Sequence, residues 1–562
     1  MLPAKRRIAI IAVAAVAIAA SLAGLRNGFV QDDVVLIVDN ARLHDLGGWR
    51  EILTSPYWPP PWTEDLYRPV TSLLLATQFV LGRGSPLVFR VISSLLYATA
   101  AVAVLGLAAR LSPRRVAIGA ALLFAAHPAH VEAVALGVGQ SELVVGLLAA
   151  VMTLRYLDRR RQADGGLGAG DWAVLGALYL AGCLVKENAL VLPGLLLGAE
   201  LLLVPDRGRP RARRLGPGFG FLAALGGLVL LARMTVLSGR LAGTSIAEGL
   251  DGLNAGGRAL TMLAVIPRWA RLLLWPAHLQ ADYSPQEIVA ATRFGSVQAV
   301  GLGMALGVVA VAWLARRRMP VVSFGLAWCA VALLPVSNVL VPTGIVLAER
   351  TLFLPSIGLV LAGGGLAGGL WQGGGAARVR WRRAATIGCA LLVAMGVVRG
   401  ARRYAVWHDE ASFSIRSAED APRSYRTQKA YAYTLFEQGR REEAIETYHH
   451  ALALAPPGHI WRVRNDLARR YFEAGDARGA EEQLRASLSD SPGQEETWNY
   501  LVLALLAEGA YVEAAREADS AVARGLSAEL FGGLRALADS AIEARAPSGS
   551  IRIRVRPPPR ER

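Results

Sequence analysis

The chain has 562 residues, 53% hydrophobic and only 19% charged, which excludes a disordered protein. Its three cysteines all lie in apolar runs, which excludes a disulfide scaffold and a zinc cluster. The net charge of +16 is concentrated before Tyr404, where 39 basic residues accompany 20 acidic ones; this is typical of membrane topology, and we expect no nucleic-acid partner.

Runs of about 20 apolar residues recur through the first 400 positions and predict membrane-spanning helices. The first run has a signal peptide as its alternative, which the spans after it disfavour. Val70–Leu81 is too short to span and Ala259–Trp275 is interrupted by Pro267, so we predict two interfacial or re-entrant helices. We predict eleven spans in all, at residues 8–25, 87–109, 116–135, 139–157, 171–185, 188–204, 218–237, 297–315, 320–337, 346–370 and 384–400.

Arginine clusters separate these runs and indicate which loops face the cytoplasm. The clusters lie near residues 110–115, 155–161, 207–214, 316–318 and 378–383. With these loops inside, the N-terminus is cytoplasmic, and an odd number of spans places the C-terminal part outside. We therefore predict a membrane domain over 1–403, with an outer loop over 26–86.

After residue 403 the sequence becomes polar and repeats itself with a period near 34 residues. Glycine, alanine and proline recur in phase, at Gly439, Gly475 and Gly509, at Ala444, Ala480 and Ala514, and at Pro422, Pro456 and Pro492. This is the pattern of tetratricopeptide repeats, which stack into a helical solenoid with a concave surface for extended peptides or a partner protein. An ordinary helical bundle is the alternative. We predict about three repeats within 404–545, flanking helices at 407–422 and 527–543, and a disordered tail over 546–562.

The first outer loop begins with an acidic pair, Asp32 and Asp33. Two adjacent carboxylates at a membrane surface raise each other's pKa, which suits one of them to act as a general base. The alternative is a hydrated pair or a helix cap. The same loop carries Tyr57, Trp58 and Trp62 among prolines, which indicate either a sugar or lipid pocket or an aromatic belt.

Four further polar clusters fall on the same predicted outer face, and ionisable groups at a membrane are functional candidates. One of them could bind a metal, although two histidines and one carboxylate are fewer ligands than zinc catalysis usually uses. Another could be a plain ion pair at a helix break, and an outward arginine could hold a phosphate. The candidate residues are His127, His130, Glu132, Lys186, Glu187, Asp282 and Arg350. A transporter would instead place such groups at mid-membrane, between inverted repeats that we do not detect.

Six phrases occur in an order that resembles a known family. They are Asn27-Gly-Phe-Val-Gln-Asp-Asp, Tyr67-Arg-Pro-Val-Thr-Ser-Leu, Ala120-Ala-Leu-Leu-Phe-Ala-Ala-His-Pro-Ala-His-Val-Glu-Ala-Val, Lys186-Glu-Asn, Leu279-Gln-Ala-Asp-Tyr-Ser and Ala348-Glu-Arg-Thr-Leu-Phe-Leu-Pro-Ser-Ile-Gly. With the repeat tail, they resemble the transmembrane-and-tetratricopeptide-repeat proteins, a branch of the GT-C glycosyltransferases related to protein O-mannosyltransferases. The resemblance covers nearly the whole chain.

The resemblance implies an active site on the lumenal or periplasmic side, a polyprenyl-phosphate sugar donor, commonly mannose, and a protein serine or threonine acceptor. It implies that the acidic pair is catalytic, with Asp32 the first choice for the base. The phosphate leaving group needs cationic stabilisation, for which Arg68, Lys186 and Arg350 are the candidates. Relatives often carry arginine where this chain has Gln140, which puts a phosphate contact at that position, and the identity of the donor, in doubt.

The sequence therefore predicts an all-α protein, a GT-C-type membrane helix bundle followed by a tetratricopeptide solenoid. We expect an integral glycosyltransferase of a bacterial inner membrane that contacts membrane lipid and binds its protein acceptor through periplasmic repeats. The sequence requires no cofactor, and the resemblance implies none. The alternatives are a non-catalytic scaffold whose repeats recruit envelope proteins, and a transporter or polymerase of lipid-linked sugars.

Overall fold

The computed structural model describes residues 3–62, 65–162, 166–205, 211–241, 246–371 and 376–547. Within these ranges every regular element is helical, which confirms the predicted all-α class. The chain divides into two compact units. The first comprises Met1–Tyr283 and Ile288–Arg416, and the second comprises Ser284–Glu287 and Ser417–Arg562.

The first unit is a bundle of apolar helices. Several of them begin with proline at the first helical position, where its missing N–H costs nothing. Its α-helices are α1 Pro3–Ser21, α2 Trp49–Thr54, α3 Pro69–Gly82, α4 Pro86–Leu111, α5 Arg114–Ala125, α6 Val131–Ala135, α7 Gln140–Gln162, α8 Ala169–Val185, α9 Leu192–Leu203, α10 Arg211–Val236, α11 Ala255–Leu274, α12 Ser296–Ala315, α13 Pro320–Leu333, α14 Phe353–Trp371 and α15 Ala376–Arg403.

Seven helices in the described residues are long and apolar enough to cross a membrane, or eight if one bent pair forms a single span. The bent pair falls in the predicted span 116–135, where the chain turns by 48° around Pro128 because proline cannot continue the helix. The predicted spans 171–185, 188–204 and 320–337 coincide with shorter helices. The count of eleven is therefore not confirmed, although each predicted span coincides with helix.

The two stretches predicted not to span are also helical, as α3 and α11, and Pro267 lies inside α11. Close backbone contact holds other helices together. A Cβ atom built on Gly325 of α13 would lie 2.4 Å from the carbonyl oxygen of Gly358 in α14. Small residues at such crossings let membrane helices approach closely enough for extensive van der Waals contact.

The unit boundary in the structure follows Arg416, whereas the sequence analysis placed it after residue 403. The reason is apolar packing by the segment after α15. Trp407 is fully buried and its ring centroid lies 5.0 Å from that of Phe413, and both rings belong to the core of the first unit. Helix α16, Glu410–Asp420, contains the boundary.

The second unit is a run of helix pairs with the predicted period. Its helices after α16 are α17 Tyr425–Glu437, α18 Arg441–Leu454, α19 Ile460–Glu473, α20 Ala477–Asp490, α21 Glu495–Glu508, α22 Tyr511–Ala523 and α23 Ala528–Glu543. The repeated glycines at 439, 475 and 509 all have φ near +80° between paired helices, a conformation that other residues adopt only with strain. The repeated alanines at 444, 480 and 514 are fully buried where the helices of each pair meet. The predicted tail lies, from residue 548 onward, outside the described residues.

Candidate active site

The loop after α1 carries the acidic pair in a constrained backbone. Gln31 has φ of +54°, a left-handed conformation that is uncommon for residues other than glycine. Its backbone N–H donates to Glu410 Oε1 at 2.7 Å, and Asn27 Nδ2 donates to the carbonyl oxygen of Tyr404 at 2.9 Å. The chain beyond α15 thus fixes the loop from which Asp32 and Asp33 project, and strained backbone of this kind is concentrated at functional sites.

Asp33 is fully buried, and three donors satisfy its carboxylate. Oδ2 accepts the backbone N–H of Gly137 at 2.8 Å and pairs with Arg90 Nη2 at 3.0 Å, while Oδ1 accepts the N–H of Val138 at 3.0 Å. A Cβ atom at Gly137 would lie 2.9 Å from Ile37 Cδ1, so a larger residue there would require the Ile37 side chain to move. Asp33 therefore anchors the loop to the turn between α6 and α7.

Asp32 has a different environment from its neighbour. Its Oδ2 pairs with Arg350 Nη1 at 3.1 Å, and the same Arg350 nitrogen lies 3.2 Å from Glu132 Oε1. Glu132 also accepts the backbone N–H of Arg350 at 2.9 Å through Oε2, which fixes the arginine at the start of the turn before α14. Asp32 thus shares one cation with a second carboxylate, and the Arg350 side chain keeps 19% of its surface exposed.

A second charged group joins residues from the turns before α3 and before α9. Arg68 makes a two-pronged ion pair with Glu187, at 3.0 Å between Nε and Oε2 and 2.5 Å between Nη2 and Oε1. Lys186 Nζ pairs with Glu142 Oε1 at 2.7 Å. Lys186 and Glu187 thus each form an ion pair with a more distant residue, Glu142 and Arg68, at the break between α8 and α9. Adjacent residues here point to different partners.

The two groups are electrostatically coupled. Burial lowers the pKa of Lys186, the neighbouring Glu142 opposes this, and the positive charges of Arg68 and Arg350 lower the pKa further. Burial alone would raise the pKa of Glu187, but the charge and hydrogen bonds of Arg68 outweigh it and hold the pKa below its usual range. Lys186 therefore lies within electrostatic reach of both Arg68 and Arg350.

The histidines of the same region face into the protein. His130 is buried, with Nδ1 3.0 Å from Tyr97 Oη and Nε2 2.9 Å from Ser356 Oγ. His127 Nε2 lies 2.9 Å from the carbonyl oxygen of Leu273 at the end of α11. Both rings are engaged with protein groups, and the described residues contain no cluster of three or more histidine, cysteine, aspartate or glutamate side chains able to hold a metal ion.

Two other positions flagged by the sequence lie beside these groups. Asp282 is half-buried in the segment after α11, and its neighbour Tyr283 donates through Oη to Glu349 Oε1 at 2.9 Å. Gln140 is buried and exchanges amide hydrogen bonds with Gln78, at 2.7 and 2.8 Å. The glutamine amide is thus occupied by protein groups.

The sequence analysis missed Arg90, the buried partner of Asp33. The sequence did contain a sign of this role. Arg90 is a lone arginine that interrupts the apolar run of α4, and a charge inside such a run needs a partner. The sequence analysis also assigned no role to Glu142, which neutralises Lys186. Partner choice depends on how the helices pack, which the spacing of residues does not specify.

Comparison with known proteins finds similar sequences among protein O-mannosyl-transferases. Protein O-mannosyl-transferase TMTC3 of Homo sapiens is 26% identical over 366 residues, covering 59% of this chain and 40% of the relative. Protein O-mannosyl-transferase Tmtc1 of Drosophila melanogaster is 27% identical over 528 residues, covering 77% of this chain and 60% of the relative. The resemblance to the transmembrane-and-tetratricopeptide-repeat proteins is confirmed.

This chain spans about half the length of those relatives. No family model matches it. Among solved structures, the APC/C hetero-tetramer Cut9–Hcn1 aligns with 84% of this chain at 12% identity and a TM-score of 0.23, too low to define a shared fold.

Proposed function

We propose that this chain is a membrane glycosyltransferase that transfers a sugar, mannose or a similar hexose, from a polyprenyl-phosphate donor to a protein hydroxyl on the outer face of the membrane. The observation that carries the proposal is the unequal pair at the first loop. Asp33 is buried and anchored by three donors, whereas Asp32 shares Arg350 with Glu132. In this proposal the Asp33 carboxylate positions the loop, and the Asp32 carboxylate takes up a proton.

In the proposed reaction, Asp32 removes the proton from the acceptor hydroxyl as that oxygen attacks the anomeric carbon of the sugar. The new carbon–oxygen bond forms on the face opposite the phosphate, so the configuration inverts. The bond between the anomeric carbon and the phosphate oxygen breaks, and its electron pair leaves with the lipid phosphate. General-base assistance of this kind contributes about 10²–10⁴-fold to a rate.

The leaving phosphate gains negative charge and requires no proton if cations stabilise it. Arg68, Lys186 and Arg350 are the candidates, and each has a carboxylate that fixes its orientation before the donor binds. A pre-oriented arrangement of this kind stabilises developing charge without reorganising during the reaction. His127, His130, Glu132, Glu187 and Asp282 then have positioning roles around the donor site.

The names of the relatives support protein hydroxyls as acceptors, and the second unit supports a peptide-binding role, since tetratricopeptide arrays bind extended segments on their concave surface. We further propose that the protein lies in a bacterial inner membrane, with a cytoplasmic N-terminus and periplasmic repeats.

The test is sugar transfer by the full chain in detergent, with several polyprenyl-phosphate sugars and a serine- and threonine-containing acceptor. We expect transfer from one or more donors, and loss of it in Asp32→Asn. Normal turnover by that variant would remove Asp32 as the base. If the wild type transfers no sugar while the chain still supports envelope function in cells, the non-catalytic scaffold is correct instead.

A further inference from the structure

The tyrosine at position 57 lies beside the charged groups of the candidate site. It sits in the loop between α2 and α3, where its backbone N–H donates to the carbonyl oxygen of Leu66 at 2.7 Å. Only 3% of the residue is exposed. The Arg68 guanidinium carbon lies 5.1 Å from the centroid of the phenol ring, so the cation that pairs with Glu187 also packs on this aromatic side chain.

The phenol hydroxyl makes no hydrogen bond with any described residue. The group that approaches it is Arg68, whose guanidinium can only donate. The hydroxyl proton of Tyr57 therefore has no acceptor among the described residues. A buried donor in this state costs free energy, and in native proteins it usually has a specific reason.

Burial raises the pKa of Tyr57 to about 12, although the charge of Arg68 opposes the rise. The hydroxyl consequently keeps its proton at physiological pH and acts as a neutral donor. Both Arg68 and Arg350 lie close enough to act on its ionisation. A neutral hydroxyl donor beside the Arg68 guanidinium is a combination of groups suited to an oxyanion.

The existing charges restrict which oxyanion fits. Arg68, Lys186 and Arg350 are already matched by Glu187, Glu142, Asp32 and Glu132. A ligand of high negative charge would be repelled by the four carboxylates. A phosphodiester carries a single negative charge, and a neutral hydroxyl can bind it without adding charge to the site.

We propose that Tyr57 Oη donates a hydrogen bond to a phosphate oxygen of a lipid-linked ligand, and that Tyr57 and Arg68 form its phosphate-binding subsite. The lipid-linked nature of the ligand rests on the proposed function. The phosphate contact itself rests on the buried hydroxyl proton without an acceptor.

The experiment compares Tyr57→Phe with Tyr67→Phe in the full chain purified in detergent. Tyr67 belongs to the same loop, and its hydroxyl already donates to the carbonyl oxygen of Leu53 at 2.9 Å, so it is a matched control. Dissociation constants are measured for the monomethyl ester of a short-chain polyprenyl phosphate (a phosphodiester, here the polyprenyl phosphate probe), for the polyprenol of equal length and for inorganic phosphate. The midpoint of thermal unfolding without ligand is measured for each protein.

We expect the wild type to bind polyprenyl phosphate more tightly than polyprenol, and Tyr57→Phe to lose about tenfold or more of that preference, because hydrogen bonds to charged groups are among the stronger ones. Tyr67→Phe should keep the preference. For the thermal unfolding midpoint without ligand, we expect the opposite ranking of the two variants. Tyr57→Phe should unfold at the same temperature as wild type or higher, since it loses only an unsatisfied hydroxyl. Tyr67→Phe should unfold at a lower temperature, because it loses a hydrogen bond.

An unchanged preference in Tyr57→Phe would overturn the inference, as would a wild type that binds none of the three probes. A third outcome is that inorganic phosphate binds in a Tyr57-dependent way and that the lipid-linked probe binds no more tightly. This outcome would support the phosphate contact and assign it to a soluble phosphate. Failure of the proposed function can be told apart from failure of this inference. In that case the wild type would still bind the lipid phosphate but would transfer no sugar.

Discussion

Replacing Asp33 by asparagine should mainly reduce stability, because the change removes a charge and one hydrogen-bond acceptor from a buried position. Both carboxylate oxygens accept hydrogen bonds, Oδ2 from Arg90 and Gly137 and Oδ1 from Val138. An asparagine offers one oxygen, so its amide nitrogen must face a donor. The substitution also leaves Arg90, which is 2% exposed, without its counter-charge. Removing one partner of a buried ion pair costs about 3–5 kcal/mol.

Asp32→Asn is the matched control, since it makes the same chemical change at the adjacent position. Arg350 would keep Glu132 as a counter-charge, so we expect unfolding close to that of wild type and a fall in transfer of about 10²–10⁴-fold. The assay is the thermal unfolding midpoint of the solubilised proteins, measured beside sugar transfer. If Asp33→Asn unfolds like wild type, or if Asp32→Asn is the less stable of the two, the division of roles is wrong.

Three further predictions concern the rest of the chain. Arg350→Lys replaces a planar guanidinium, which can hold a phosphate through two parallel hydrogen bonds, by a single ammonium, so the KM for the lipid-linked donor should rise about tenfold, and an unchanged KM would exclude a donor contact. A reporter fused after Arg403 should be active only outside the cytoplasm, and cytoplasmic activity would refute the topology. Truncation after Arg416 should preserve transfer to a short peptide and weaken modification of the full-length protein acceptor, as measured by the rate ratio; an equal ratio would assign the repeats another partner.

The repeats could be predicted in detail because each repeated residue answers a local requirement. Gly475 stands where the chain needs a positive φ between α19 and α20, and Ala480 is a small residue fully buried in the core of the repeats. Both requirements depend on neighbours within one repeat. The spacing of residues therefore carries the information directly.

The ion pairs of the candidate site could not be predicted in this way. Lys186 and Glu187 are adjacent in sequence, yet they bind Glu142 and Arg68, which come from different helices and turns. The sequence indicated only that charged residues collect in these segments. Which charge meets which depends on helix rotation and on the bend at Pro128, and neither leaves a periodic trace.

The contact between Asn27 and the carbonyl oxygen of Tyr404 joins two points of the chain that are 377 residues apart. Gly28 makes a similar bond to the carbonyl oxygen of His408, at 2.8 Å. A chain emerging from the ribosome makes Asn27 early and Tyr404 only after α15, so the loop bearing Asp32 cannot reach its final position until synthesis has passed that point. The order of synthesis therefore leaves the loop that carries Asp32 without these two hydrogen bonds until α15 and the residues after it have been made.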